Sequence, residues 1–377
     1  MRKAWIIGVT LGFAVALASV ALCASAAVAQ SGPTTVVSGL SGPQGVLVAP
    51  DGSVWVIETG TGGDQELSVP ALETSEPLSA TFGHSARIIR VSPDGTQEVV
   101  ARLPSLASAP LDSFGGSRLA LLNGEVYATS GWWTSSYDDA GLERWSFVDA
   151  LVRVENGELQ EVVDVWAIEQ ERNPDGAYLE SNPYGLAVGP GGNLWMTDAA
   201  GNYLAKVDPA SGHLDVVAVF DVLPSPIPNP ARDNALVSDP VPTGVAFDSD
   251  GNVYVSLLPG FPFLPGSGKV VRVGPDGAVS DYATDLTMLT DIRMGPDGHL
   301  YAVSFGEFTE QGPVPNSGAL IRIAEGTGSE TVLSGLSMPT SVDFNEAGDA
   351  YLTINGLWDP GTGLLVKYGG VAAPDGH

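Results

Sequence analysis

The sequence predicts an all-β fold: a six-bladed β-propeller with four antiparallel strands per blade, its ring closed by an N-terminal strand that completes the last blade. Three observations predict it. A strand–turn–strand unit recurs six times along the 377 residues. Each copy is followed by an apolar companion run that carries one basic residue. The last copy lacks a final strand, while an unpaired β-type run stands at the start of the chain. Four-stranded units repeating every ~40–50 residues are the signature of a propeller.

The chain begins with a targeting pattern. Arg2 and Lys3 precede an apolar run from Ala4 to Cys23, and a small-residue stretch ends in Ala27-Val28-Ala29. A charged start, an apolar stretch and an A-x-A site predict a cleaved signal peptide over 1–29. The rest, 30–377, is expected to be a single propeller domain that is exported to the periplasm or the cell exterior, with no transmembrane anchor in the mature chain. Cys23 is the only cysteine, so the mature protein has no disulfide and no thiolate metal site. The formal charge of −28 becomes −30 once Arg2 and Lys3 are removed. That much negative charge excludes nucleic acid and anionic membrane surfaces as partners. A small molecule, a glycan or a protein is left as the partner of what is expected to be a monomer.

Thr34–Ser38 is the unpaired opening run. The copies follow at Pro43–Glu58, Ser117–Ser130, Pro183–Asp198, Pro242–Leu257, Thr290–Ser304 and Pro339–Ile354. Within each, two apolar runs flank a tight turn, of which Asp51-Gly52, Asn123-Gly124 and Asp297-Gly298 are examples. Such dipeptides favour the positive φ angles of short hairpin turns. The companions carry Arg90, Arg153, Lys206, Arg272 and Arg322, and Leu364–Tyr368 is the last. Thr34–Ser38 is expected to pair with Leu364–Tyr368. Trp55, Tyr127, Trp195, Tyr254, Tyr301 and Tyr351 share one position in the second strand and are expected to pack between blades.

The extra length is not scattered. Ser68–His84, Gly131–Phe147, Pro259–Gly268, Gly306–Gly318 and Asn355–Gly363 separate the second strand of a unit from the third. Trp166–Ser181 and Asp221–Val241 join one unit to the next. In four-stranded blades both kinds of connection leave on the same face, and selectively lengthened loops on a rigid scaffold are where binding resides. The candidate ligand-binding residues at that mouth are Glu58, Trp132, Trp133, Asn182, Tyr184, Asp198, Asp291 and Asn355. Oxygen ligands suit a hard cation, so Glu58, Asn182 and Asp198 are the candidate metal ligands, for calcium or magnesium. Trp132 and Trp133, with Tyr137 and Trp145, are either a platform for a sugar or flat ligand or rim packing. The catalytic residues are unknown: there is no nucleophile elbow, no phosphate loop and no histidine cluster. Of the four histidines, only His84 falls on the elaborated side.

These units resemble NHL-like secreted propellers. The opening TTVVSGLSGPQGVLVAPDGSVWVIETGTGG, the companion ARIIRVSPDGTQEVVARLPS and the closing SGLSMPTSVDFNEAGDAYLTINGL resemble the ScyD/ScyE family over residues 34 to 368. That resemblance implies an exported propeller and carries over no catalytic residue. The Asn182–Asp198 segment also resembles the blades of streptogramin B lyase, which uses a mouth histidine and magnesium. No unit here offers a histidine after its second strand. Gluconolactonase-type propellers hold a metal with a Glu, Asn and Asp set, which Glu58, Asn182 and Asp198 would imitate; one further Asn of that pattern has no match. The leading expectation is therefore a binding module without established catalysis. The alternative is a metal-dependent hydrolase or lyase at the axial mouth.

Overall fold

Apolar runs joined by glycine turns become antiparallel hairpins. A computed structural model describes residues 32–374, apart from 71–76, 109–111, 230, 231, 310 and 358. The segment expected to be a signal peptide, 1–29, lies outside the described residues. From Gly32 onward the chain is one compact unit. Among the described residues no helix is long and apolar enough to cross a membrane.

Among the described residues, six principal sheets follow one another in sequence. We label the strands of each a to d from the innermost outward. The first has Pro43–Val48, Val54–Glu58, Leu78–Val91 and Gln97–Ser108, to which Gln65–Val69 and Asp112–Phe114 add further pairs. The second is Gly116–Leu122, Glu125–Ser130, Ala150–Glu155 and Glu158–Asp164. The third is Pro183–Val188, Leu194–Asp198, Tyr203–Val207 and Leu214–Val219. The fourth is Pro242–Phe247, Val253–Leu257, Gly268–Val273 and Val279–Leu286. The fifth is Leu289–Met294, Leu300–Ser304, Gly318–Ile323 and Glu330–Leu336. The sixth has Ser341–Phe344, Ala350–Ile354 and Gly363–Tyr368, and Thr34–Leu40 is its outer strand. Thr34 stands opposite Lys367 and Ser38 opposite Leu364, the expected pairing of the two chain ends.

Each sheet carries apolar side chains on both faces, so they are buried only against the neighbouring sheets. A separate core cluster fills every junction. Ile57 and Ile88 meet Leu119 and Val152; Leu151 meets Leu186 and Met196; Leu204 meets Val245 and Val255. Ala246 and Val270 meet Ile292; Val303 and Leu320 meet Val342 and Leu352; Val37 and Leu365 meet Val46 and Val56. The last of these joins the sixth sheet to the first, so the innermost strands form a closed cycle.

The aromatic position of strand b has a regular partner. Trp55 stands opposite Arg90, Tyr127 opposite Arg153, Trp195 opposite Lys206, Tyr254 opposite Arg272, Tyr301 opposite Arg322 and Tyr351 opposite Lys367. Arg90 and Lys367 lie over their rings at 5.6 and 5.9 Å, within cation–π range. The a–b turns are short. In the second sheet, Asn123 (φ 52°) and Gly124 (φ 83°) form a two-residue turn with both angles positive, which a residue with a bulky or branched side chain would strain.

The insertions are more ordered than loops. The first extends the sheet, with Gln65–Val69 paired on Leu78–Val91. The second holds a short helix, α1 (Ser135–Asp139). Trp166–Ser181 carries α2 (Val165–Arg172), capped by the Asp164 side chain on the Ala167 N–H at 3.1 Å and ended by Asn173 at φ 38°. Neither helix was expected from the sequence. α1 spans only five residues, and α2 has no pronounced apolar stripe. Within the Asp221–Val241 connection, Leu223–Asn229 pairs with Ala235–Ser238.

Candidate functional site: the closed axis and the elaborated face

The innermost strands approach so closely that side chains at the positions aligned with Gln44 and Gly45, the second and third of the first sheet's inner strand, decide what the axis holds. At the Gln44 position, threonines link neighbouring strands. Thr243 Oγ1 donates to Leu289 O at 2.7 Å, Thr290 Oγ1 to Pro339 O at 3.2 Å and Thr340 Oγ1 to Pro43 O at 2.7 Å. At the Gly45 position stand Gly45, Arg118, Gly185, Gly244, Asp291 and Ser341. A Cβ on Gly45 would meet Ser117 O at 2.6 Å, and one on Gly185 would meet Thr243 O at 2.8 Å. The ring there admits little more than backbone.

Arg118 is the exception, and it is fully buried. Its guanidinium donates to the carbonyls of Gln44, Ser117, Thr290 and Thr340. Its Nε lies 3.7 Å from Asp291 Oδ1. The Tyr184 ring covers it at 4.4 Å. Tyr184 then donates its hydroxyl to Gln44 Oε1 at 2.8 Å, and Gln44 Nε2 donates to Gly356 O at 3.1 Å. Tyr184, Gln44 and Arg118 together close the axis from side to side. Residue-by-residue reading missed Arg118. Aligning the six copies would have shown it, as the one large side chain among glycines, a serine and an aspartate.

The candidate metal ligands have other partners. Glu58 is buried, accepts from the Ser41 N–H at 2.7 Å and pairs with Arg87. Asp198 Oδ1 accepts from the backbone N–H groups of Asn182, Ala200 and Gly201, and Oδ2 from the Ser181 hydroxyl. Asn182 and Asp198 are thus brought together through backbone. Asp291 Oδ2 accepts from Ser341 Oγ at 2.6 Å and from the Val342 N–H at 3.2 Å. Asn355 Nδ2 donates to Thr362 O at 3.0 Å. Among the described residues, no three His, Cys, Asp or Glu side chains are grouped to hold a metal. Glu58 and Asp198 are thus not grouped as metal ligands, and their carboxylate oxygens already accept hydrogen bonds from the chain itself.

Trp132 and Trp133 are not an open platform. They are 7% and 0% exposed and lie in a core cluster with Phe82, Tyr137, Trp145 and Trp166. Trp145 stacks on Phe82 at 3.7 Å, and Trp133 Nε1 donates to Asp138 Oδ1 at 2.8 Å. This cluster roofs the first two sheets and holds their insertions down.

Beneath that roof lies a buried acidic group that sequence reasoning also missed. Ser181 Oγ lies 2.8 Å from Asp149 Oδ1 and 2.6 Å from Asp198 Oδ2. One hydroxyl hydrogen cannot serve two carboxylates fully. Burial, then the Asp198 charge, pushes the Asp149 carboxyl well above the ordinary range, and its Oδ2 has no donor. Burial pushes Asp198 up too, against four hydrogen bonds that favour its anion. On α2, Glu169 is fully buried with neither oxygen hydrogen-bonded. Burial, then the charges of Asp198, Asp175 and Glu180, pushes it up to about 8. Burial and the surrounding acids push Glu180 up to about 7.

The elaborated face does hold an opening away from the axis. A crevice of about 290 Å³ lies between the fourth and fifth sheets. The end of the fourth sheet's outer strand contributes Asp285, the d–a connection Thr287, the b–c connection Glu307 and Ser317, and the c–d turn of the fifth sheet Thr327 and Ser329. Its lining is mostly hydroxyls, with these two carboxylates exposed.

No family model matches the chain, and no curated protein matches it. Solved structures do. One, described as a candidate gluconolactonase, is 14% identical over 91% of this chain and 94% of its own, with a TM-score of 0.50. A protein of unknown function from Bacteroides thetaiotaomicron is 10% identical over 90% of this chain and 73% of its own, at 0.51. Virginiamycin B lyase from Staphylococcus aureus is 16% identical over 87% and 95%, at 0.45. At such identities a likeness speaks for fold alone, and with the cycle of four-stranded sheets it identifies this chain as a β-propeller.

Proposed function

We propose that this protein is an exported six-bladed β-propeller, similar to the ScyD/ScyE family, that binds a small polar ligand or a partner through its elaborated face. The observation that carries the reading is the contrast between axis and face. Arg118, Tyr184 and Gln44 close the axis, while the connections after the fourth sheet and within the fifth border a hydroxyl-lined crevice away from it. Hydroxyls and carboxylates that line a concave site suit a polyhydroxylated molecule, which they would bind by exchanging hydrogen bonds with water for hydrogen bonds with ligand.

The second reading is a metal-dependent hydrolase or lyase. The candidate gluconolactonase among the solved likenesses favours it over the first; the partners of Glu58, Asp198 and Asp291 favour the first. Thermal melts with EDTA, calcium and magnesium, run beside assays on aldonolactones and streptogramin B, separate the two. Under the binding reading, melting is indifferent to metal and chelator, and a sugar or polyol panel gives a rise in Tm that Glu307→Ala reduces. Lactone or streptogramin turnover that EDTA abolishes gives the second reading the lead.

A further inference from the structure

The oxygen set around Arg118 has the composition of a cation site. Four carbonyls converge on its guanidinium: Gln44 O from the first sheet, Ser117 O from the second, Thr290 O from the fifth and Thr340 O from the sixth. The Asp291 carboxylate stands 3.7 Å from Nε. A hard cation is held by such a mixture of carbonyls and carboxylate. Sheets two and five are three steps apart in a cycle of six, so Arg118 and Asp291 face each other across it. The remaining residues aligned with these two are Gly45, Gly185, Gly244 and Ser341, small enough to leave the centre to one side chain. A guanidinium keeps its charge at every physiological pH and offers a planar fork of donors. A buried charge of this kind is tolerated only when most of its hydrogen bonds are made; both Nη atoms make two, and Nε, without a hydrogen bond, has the Asp291 carboxylate as its counter-charge.

We infer that the propeller axis is a cation site filled from within: Arg118 is its permanent occupant, in place of a free metal ion, and the oxygen ring is built for a planar guanidinium. This goes beyond the proposed ligand face: both readings use the Arg118 contacts at the axis, but this one is tested at the axis without reference to ligand binding on the face, so the two can fail separately. The consequence is that the space left by Arg118→Ala accepts a small guanidinium ion from solution.

Thermal melts of wild type and Arg118→Ala test this, with methylguanidinium and methylammonium chloride as the probes at equal millimolar concentrations. The expected result is a Tm several degrees below wild type that rises saturably with methylguanidinium, and much less with methylammonium, while wild type responds to neither. No selective rise, or an equal rise in wild type, overturns the inference. Should Arg118→Ala fail to fold, Arg118→Met and Arg118→Lys decide. Arg118→Lys melting closer to wild type than Arg118→Met supports a site that needs a cation. Arg118→Met melting at or above wild type overturns it. Calcium that stabilises wild type and loses that effect in Asp291→Asn also overturns it, because the axis would then take a metal with Arg118 in place.

Discussion

Thr340 Oγ1 donates to Pro43 O at 2.7 Å, across the seam where the sixth sheet meets the first. The bond joins residues 297 apart in sequence and repeats what Thr243 and Thr290 do at the two preceding junctions. The seam is therefore built like the other junctions, although its outer strand comes from the other end of the chain. Thr340→Val is expected to cost about 1 kcal/mol. Leu40→Ala, which empties a fully buried site in that outer strand, is expected to cost about 2–4 kcal/mol. Urea unfolding measures both. A Leu40→Ala protein as stable as wild type would mean that the terminal strand does not close the ring.

Among the described residues, Asp291 is the only carboxylate paired with Arg118, and its Oδ2 also holds Ser341 and Val342. Asp291→Asn leaves a buried guanidinium without its counter-charge. The expected cost is about 3 kcal/mol, read by denaturant unfolding. A cost below ~0.5 kcal/mol, typical of a surface change, would show that the carbonyls alone balance the charge.

The buried acids make stability depend on pH in a definite direction. Glu169 ionises near its ordinary 4.5 when unfolded and near about 8 when folded. The folded state therefore binds this proton more tightly. Its contribution is fully present below about 4.5, is lost progressively as pH rises to about 8, and is flat beyond that. Glu169→Gln is expected to gain on wild type between pH 5 and pH 8, by about 3–4 kcal/mol. Melts at the two pH values check this. A difference of the same size at both would remove Glu169 as the cause.

The aromatic roof is structural. Trp133 is fully buried against Tyr137 and Trp145, with edge-to-face centroid distances of 5.2 and 6.0 Å. Trp133→Ala is expected to cost about 3–5 kcal/mol. Saccharides are expected to leave the tryptophan fluorescence of wild type unchanged. A saturable quench by a sugar would reopen the platform reading of Trp132 and Trp133.

Local periodicity was legible, and side-chain convergence was not. The alternation of apolar runs, the Asp-Gly turns and the basic companions each follow from contacts within one sheet, where partners are near in sequence. The pairing of Thr34–Ser38 with Leu364–Tyr368 could be read too, because one missing strand and one spare run have a single solution. Glu58 and Asp198 looked available because a sequence shows carboxylates and not the N–H groups aimed at them. Ser41, Arg87 and the backbone of Asn182, Ala200 and Gly201 became their partners only once the strands were in place.

The sequence by itself determined the four-stranded units, their order and the face on which the insertions gather. Those features rest on backbone hydrogen bonding and on a two-residue periodicity that every copy repeats. Only the tertiary structure decided what occupies the axis. Arg118 is one residue in the least regular copy, and its partners come from sheets one, two, five and six. Closing the ring brings Asp291 opposite it and three glycines beside it, and a buried charge is stable only where so many oxygens meet it at once.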